Sequence, residues 1–271
     1  MERQDLFDVE KVQLVAENSE YDHPQSFGIY RTDTNEWLGT VGNRYHPTQN
    51  KHLFDLIKEA ADVAGMTDPD IIFKSMHGGA RVSFQLELPE WSLRGDKVRR
   101  YATALNTHNG SSSIGYGSTS VRVICTNTWY TAHRDIDKIR HTASSKERIR
   151  ILADALLESI SIDREMYETF RELQDTPYTD MDHSKFIKEI VGYDMEDLKP
   201  SDTRKINRFN AIHDAIDVEI ESAGKNQWGL FNGITRYTNH VLAPASKDSD
   251  NYLIFGSGHK MHQKAYKVLV N

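Results

Sequence analysis

Ala80-Arg81-Val82-Ser83-Phe84-Gln85-Leu86-Glu87-Leu88 alternates without a break. Val82, Phe84, Leu86 and Leu88 fall on one face of an extended chain, and Arg81, Ser83, Gln85 and Glu87 on the other. That is the period of a strand. Just upstream, Ile71 to Ser75 reads as a second strand, and His77-Gly78-Gly79 supplies a hairpin turn. Downstream, Val98 to Asn106 is a weaker strand containing Tyr101, and Val121 to Cys125 is a fourth. The segment 107–120 between these two is small, polar and glycine-rich, the composition of a loop.

Further out, Ser26 to Arg31 and Trp37 to Val41 read as short strands joined through Asp33-Thr34-Asn35. Thr48 or Asn50 can cap a helix whose apolar face is Leu53, Phe54, Leu56, Ile57, Ala60, Ala61 and Ala64, ending at Gly65. Helical patterns dominate from Asn127. Ser144-x-x-Glu147 is a capping box opening a long helix with Ile149, Leu152, Leu156, Ile160, Tyr167, Phe170 and Leu173 on its stripe, stopped by Pro177. A shorter helix covers Ser184 to Val191. Another opens at Ser201 or Asp202, carries Ile206, Phe209, Ile216 and Ile220, and ends at Gly224. A last one runs from Gln227 to about Leu242, and its Trp228, Phe231, Tyr237 and His240 read as packing. The tail beyond Pro244 is polar until Tyr252–Phe255. The expected class is α+β: an antiparallel β-meander packed on helices, in the order β-β-α-β-β-β-β-α, with a helical C-terminal half. The expected division is an irregular N-terminal arm over 1–25, an α+β core with a basic groove over 26–176, and a helical region over 177–271 packing on that core.

The 271 residues are 38% hydrophobic and 27% charged, and no apolar run reaches the ~20 residues of a membrane span. Met1 to Glu10 is polar and acidic, unlike a signal peptide. The single cysteine, Cys125, excludes an internal disulfide and fits a reducing cytoplasm. Its apolar surroundings, Val121-Arg-Val-Ile-Cys125, suit a buried, inert thiol.

Charge is unevenly distributed. The chain has a net charge of −7, yet Lys74 to Arg150 holds thirteen Lys and Arg against six Asp and Glu. A basic block in an acidic protein suits a polyanion or an acidic partner surface. Arg94, Lys97, Arg99 and Arg100 cluster beside Trp91 and Tyr101, mixing cations for phosphates with flat faces for bases. A solvated edge with two core aromatics is the competing account. Lys74 and Arg81 flank this cluster in sequence. His108-Asn109-Gly110-Ser-Ser-Ser113 offers backbone N–H groups and hydroxyls that can wrap a phosphate, or it is a plain strand connection. Arg122, in an otherwise apolar strand, either reaches a groove or pairs internally. Asn127 contacts nucleic acid or caps the next helix. His133, Arg134, Lys138, Arg140 and His141, followed by Lys146, Arg148 and Arg150, form a basic helical face, in a groove or in solvent.

Three patches resemble a family of phage- and plasmid-borne proteins known only as a domain of unknown function. They are Leu38-Gly-Thr-Val-Gly-Asn-Arg-Tyr-His-Pro-Thr-Gln-Asn50, Asn106-Thr-His-Asn-Gly-Ser111 with Val121-Arg-Val-Ile-Cys-Thr-Asn-Thr128, and Trp228-Gly-Leu-Phe-Asn-Gly-Ile-Thr-Arg-Tyr-Thr-Asn-His240. The resemblance implies a mobile element in a prokaryotic cytoplasm. The order of strand, helix, meander and long helix is also similar to the core of single-strand annealing proteins of the RecT and Red-beta type. That likeness implies a ring or filament holding one DNA strand.

No His-x-x-x-His, His-Glu-x-x-His or cysteine pair appears, so neither a metal nor another cofactor is expected. His259 and His262, three apart in a Gly-Ser-Gly tail, are a weak pair. Asp70, Glu87 and Glu90 are available to a nuclease, but no Glu-x-Lys follows, and no nucleophile with a base is signalled. The expectation is a non-enzymatic single-stranded DNA-binding protein, a homo-oligomer that promotes annealing in homologous recombination. The alternative is an interaction protein that binds a host or phage protein, for example a defence component. Membrane association is not expected.

Overall fold

The alternating stretch is realised inside a strand longer than its pattern. The computed structural model describes residues 6–15, 25–63, 65–122, 128–132, 140–143, 165–242 and 249–270, without the side chains of 116–119, 128–132 and 180–181. Its strands are β1 (Val9–Gln13), β2 (Ser26–Arg31), β3 (Trp37–Gly42), β4 (Ile71–Met76), β5 (Arg81–Leu93), β6 (Asp96–Thr107), β7 (Gly115–Arg122) and β8 (Thr128–Ala132). They form a three-stranded sheet, β1-β2-β3, and a five-stranded meander, β4-β5-β6-β7-β8. The described helices are α1 (Asn50–Val63), α2 (residues 165–175), α3 (Asp180–Val191), α4 (Thr203–Ala223), α5 (Gln227–Arg236), α6 (Ser249–Phe255) and α7 (Ser257–Val270). The protein is α+β with a helical C-terminal half, as expected.

Several boundaries differ from the expectation for physical reasons. β5 runs through Pro89 because β4 pairs only as far as Ile71↔Leu86, so Pro89 lies where β5 has lost that neighbour. The β5–β6 connection is the two-residue turn Arg94-Gly95, both with positive φ (49° and 91°), the geometry that matches strand twist. Within the expected irregular arm, β1 pairs antiparallel with β2, from Val9↔Arg31 to Gln13↔Phe27. Only Val9 of β1 is buried, so its sequence shows no alternation. The Gln49 side chain fastens it, accepting from the Val9 N–H at 2.9 Å and donating to the Val9 carbonyl at 2.8 Å. β7 begins at Gly115, inside the expected loop. β8 replaces the expected helical start after Asn127, its Thr-Trp-Tyr-Thr run suiting a pleated strand. Cys125 and the helix expected from Ser144 to residue 164 lie outside the described residues. The polar tail instead forms α6 and α7, and α7 buries Gly258, Met261, His262 and Ala265. His262 is hydrogen-bonded to Thr238 in the π-helical turn that continues α5, so a polar residue at a core position hides the helix's stripe.

The chain forms two compact units. The first comprises Met1–Leu88, Tyr101–Thr119 and Ala132–Ser161, and the second Pro89–Arg100, Ser120–Thr131 and Ile162–Asn271. The first has a core of Ile29, Leu53, Ile57, Val82, Phe84 and Leu86 among others, and the second one of Phe170, Ile187, Ile212, Ile216, Phe231 and Ile234. Among the described residues no helix is long and apolar enough to cross a membrane.

In the second unit, α4 and α5 approach closely because Gly229 and Gly233 share a face of α5. A Cβ on Gly233 would lie 2.2 Å from Ile216 Cγ1 and 2.6 Å from its Cα, and one on Gly229 would lie 2.5 Å from the Gly224 carbonyl. Backbone cannot yield as a flexible side chain can. Gly233→Ala should therefore destabilise the protein by about 1–3 kcal/mol, although alanine is the better helix former. Urea unfolding followed by tryptophan fluorescence checks this, and an unchanged or raised midpoint contradicts it.

Candidate nucleic-acid interface

The basic block separates into inward and outward cations. Arg122 is 2% exposed. Its Nε donates to Asp96 Oδ2 at 2.5 Å, its Nη1 to Glu219 Oε2 at 2.6 Å, and both Nη atoms lie 3.3 Å from Ser222 Oγ. Asp96 Oδ2 also accepts from the Trp228 indole N–H at 3.0 Å, and Glu219 Oε1 from Arg236 Nη1 at 3.3 Å. Of the two roles open to Arg122 from sequence, the structure realises internal pairing, because the Asp96 and Glu219 carboxylates claim its donors.

Arg100 is also turned in. Its Nε donates to the Pro89 carbonyl at 2.7 Å, its guanidinium lies 4.4 Å from the centre of the Trp91 ring, and burial lowers its pKa to about 10. Trp91 meets Tyr167 and Phe170 edge-on at 5.5 and 5.9 Å, so its faces and edges serve the second unit's core. The neighbouring Arg99 is exposed, because successive strand residues point to opposite faces. Arg94 and Lys97 are exposed as well but pair with Asp175 and, at 3.3 Å, with Glu90.

In the first unit His108 is fully buried. Its Nε2 lies 2.9 Å from Asn50 Oδ1, and Asn50 Nδ2 donates to the Phe7 carbonyl. Burial, reinforced by His141, lowers the pKa of His108 to about 3, so it is a neutral structural link rather than a phosphate ligand. Lys74 on β4 and Tyr101 on β6 are half-buried. Asn127, Arg134, Lys138 and Arg148, with His133, Lys146 and Arg150, lie outside the described residues.

Two expected pieces do converge. A cleft of about 680 Å³ in the first unit is lined by Gly110 to Ser113, by Gly42 to Tyr45 with Gln25, and by Arg140 to Thr142. The serine turn is braced from within. Thr107 Oγ1 donates to the Ser112 carbonyl at 2.6 Å and accepts from its N–H at 3.2 Å. Asn109 Oδ1 accepts from the Ser111 N–H at 3.0 Å, and Arg81 Nη2 reaches Ser111 Oγ at 3.3 Å. Gly110 takes φ 70° against Val41. The Ser111 and Ser112 N–H groups are thereby occupied, so the turn presents hydroxyls rather than a nest of amides. Asn109 itself packs on Gly39, where a Cβ would meet its Cβ at 2.7 Å.

The second wall carries Arg44, which the basic block did not include because it lies upstream of Lys74. Lys11 Nζ on β1 donates to the carbonyls on either side of it, Asn43 at 2.7 Å and Tyr45 at 2.8 Å. The third wall is tied to the second by the His46 N–H, which donates to the His141 carbonyl at 2.9 Å, and by the Tyr45 and His141 rings, 4.7 Å apart. Arg44 and Arg140 are both exposed, and no Asp or Glu is among the lining residues. Burial lowers His141 to about 4, so at neutral pH the two arginines set the charge of the cleft. The guanidiniums of Arg44 and Arg140 and the hydroxyls of Ser111 to Ser113 line one cleft, and groups of these kinds can bind phosphate.

Two expectations follow from these geometries. Arg122→Ala leaves Asp96 without its guanidinium partner and Glu219 with Arg236 alone, and should cost about 3–5 kcal/mol, whereas Arg99→Ala should stay within about 0.5 kcal/mol. Chemical unfolding of the two variants measures the contrast. His108, His141 and His262 all have folded pKa values below the ~6.5 of an unfolded histidine. The unfolded chain then binds more protons, so their contribution to stability is complete above about pH 6.5 and is lost progressively as pH falls towards 4. At pH 5 each should cost roughly 2 kcal/mol relative to pH 7.5. Replacing His141 with Asn should shrink the fall in melting temperature between these pH values.

Neither a curated protein nor a solved structure matches the chain. The sequence model of DUF932, a domain of unknown function, matches residues 37–254, a span that includes both arginines of the cleft and the Arg122 cluster. The chain therefore belongs to the DUF932 family.

Proposed function

We propose that the protein binds single-stranded nucleic acid by seating backbone phosphate in the first unit's cleft. The observation that carries this reading is the cleft itself, where Arg44 and Arg140 stand with Ser111, Ser112 and Ser113 and without a carboxylate among the lining residues. Its volume of about 680 Å³ suits a nucleotide-sized group. Guanidiniums bind phosphate oxygens in pairs, and the hydroxyls complete the shell. Tyr45 packs on His141, so the reading rests on phosphate contacts rather than on base stacking. A single strand offers its backbone to a cleft of this size more readily than a duplex does.

In its specific form, the reading is a cytoplasmic, phage- or plasmid-encoded DNA-binding protein. Several copies hold one strand by its phosphates and leave the bases free to pair, which promotes annealing during recombination. No covalent chemistry is required.

The test is fluorescence anisotropy with labelled single-stranded and duplex oligonucleotides at two salt concentrations, followed by addition of the complementary strand. Binding should favour the single strand, weaken with salt, and speed duplex formation. The Arg44→Ala/Arg140→Ala double variant should bind more weakly, with a salt slope flatter by roughly 1.4, about 0.7 for each phosphate no longer neutralised. Unchanged binding by that variant would sink the cleft assignment. No binding by the native protein at low salt would remove the nucleic-acid reading and leave a protein partner.

A further inference from the structure

α3 and α4 of the second unit bring together two imidazoles and a carboxylate that take no part in the cleft. His183, one turn into α3, is buried at 5% exposure, with the Tyr178 ring edge-on to it at 5.8 Å. His213 and Asp217 lie one turn apart on α4, and both side chains are about half exposed. His213 Nδ1 is 3.0 Å from Asp217 Oδ2. The His183 and His213 rings stack at 4.4 Å, inclined by only 15°. One ligand atom from each of the three residues lies within 4.8 Å of the other two.

We propose that His183, His213 and Asp217 bind a divalent transition cation of borderline softness, of which Zn²⁺ is the natural probe. Two nitrogens and one oxygen suit such an ion, whereas Mg²⁺ and Ca²⁺ prefer oxygen alone. With metal–ligand bonds of about 2.0–2.2 Å, the 3.0 Å gap between His213 and Asp217 corresponds to an N–metal–O angle of roughly 90°. That pair already brackets an ion. His183 supplies the third ligand from the neighbouring helix. The contraction this needs falls to His213 and Asp217, whose exposure leaves their rotamers free to adjust. Water completes the shell.

A single divalent ion uses both rings in their neutral form together with the carboxylate. Bound there, it clips α3 to α4 and stabilises the second unit. The triad has no recognisable sequence signature, because it is His213-x-x-x-Asp217 plus a histidine from the preceding helix, not a histidine pair.

The test uses the full chain, stripped by a chelator and titrated with Zn²⁺ by calorimetry, with Co²⁺ absorption as the readout of coordination. Native protein should bind one equivalent and melt at a higher temperature with zinc. His213→Gln and Asp217→Asn, both at half-exposed positions and checked for folding by circular dichroism, should each weaken binding by roughly a hundredfold and abolish the thermal shift. Absence of a stoichiometric site in the native protein overturns the proposal. Native-like affinity in both variants places the zinc elsewhere and overturns it too. Loss in one variant only overturns the three-ligand assignment.

Discussion

A guanidinium at 2% exposure is tolerable only where carboxylates meet it, and around Arg122 the second unit is organised to supply them. Asp96 comes from the start of β6, Arg122 from the end of β7, and Glu219 and Ser222 from α4. Trp228 on α5 shares the Asp96 acceptor and Arg236 shares Glu219, so separate strands and helices converge on one charge cluster. Such a cluster adds little net stability over a well-packed apolar core. Its effect is on uniqueness, because any other register strands a charge in a medium that cannot solvate it. The close contact of α4 with α5 at Gly233 then follows from where those partners must stand.

The same internal pairing explains why a count of basic residues misstates the field that the block projects. Arg122 and Arg100 are consumed internally, and Arg94 and Lys97 are partly neutralised by Asp175 and Glu90. The cleft instead combines Arg140, from the block's far end, with Arg44, from outside it. What positions Arg44 is a backbone clamp, Lys11 holding the carbonyls on either side. A cleft of this kind is made by turns that the sheet and α1 hold in place. It depends less on how many cations a segment carries than on which ones are left facing water.

The fold class was legible in the sequence where one face of an element is apolar. The alternation at Ala80–Leu88, the stripe of α1, and the termini of α4 at Asp202 and Gly224 all read correctly from local pattern. Local pattern failed where the determinant is a partner rather than a period. β1 has one buried residue and is held by Gln49, and α7 buries His262 because Thr238 bonds it. The Arg94-Gly95 turn needs two positive φ values but lacks the usual Asn-Gly or Asp-Gly signature. For the candidate site, the serine turn and Arg140 were visible and Arg44 was not. The burial of His108 was also invisible, since it depends on Asn50 and Phe7 arriving from distant segments.

Each unit is assembled from three separate stretches of chain, and β5, β6 and β7 each begin in one and finish in the other. Interleaving of this kind has a consequence for inheritance and for handling. Neither unit exists as a contiguous cassette that recombination could lift out and fuse elsewhere, and no single cut of the reading frame yields an intact half. A truncation after Leu88 would remove the strands that complete the first unit. A chain beginning at Pro89 would keep only the far end of β5, without the β4 that pairs with its near end. Substitutions and loop changes leave both units whole, whereas excision of either one breaks the other.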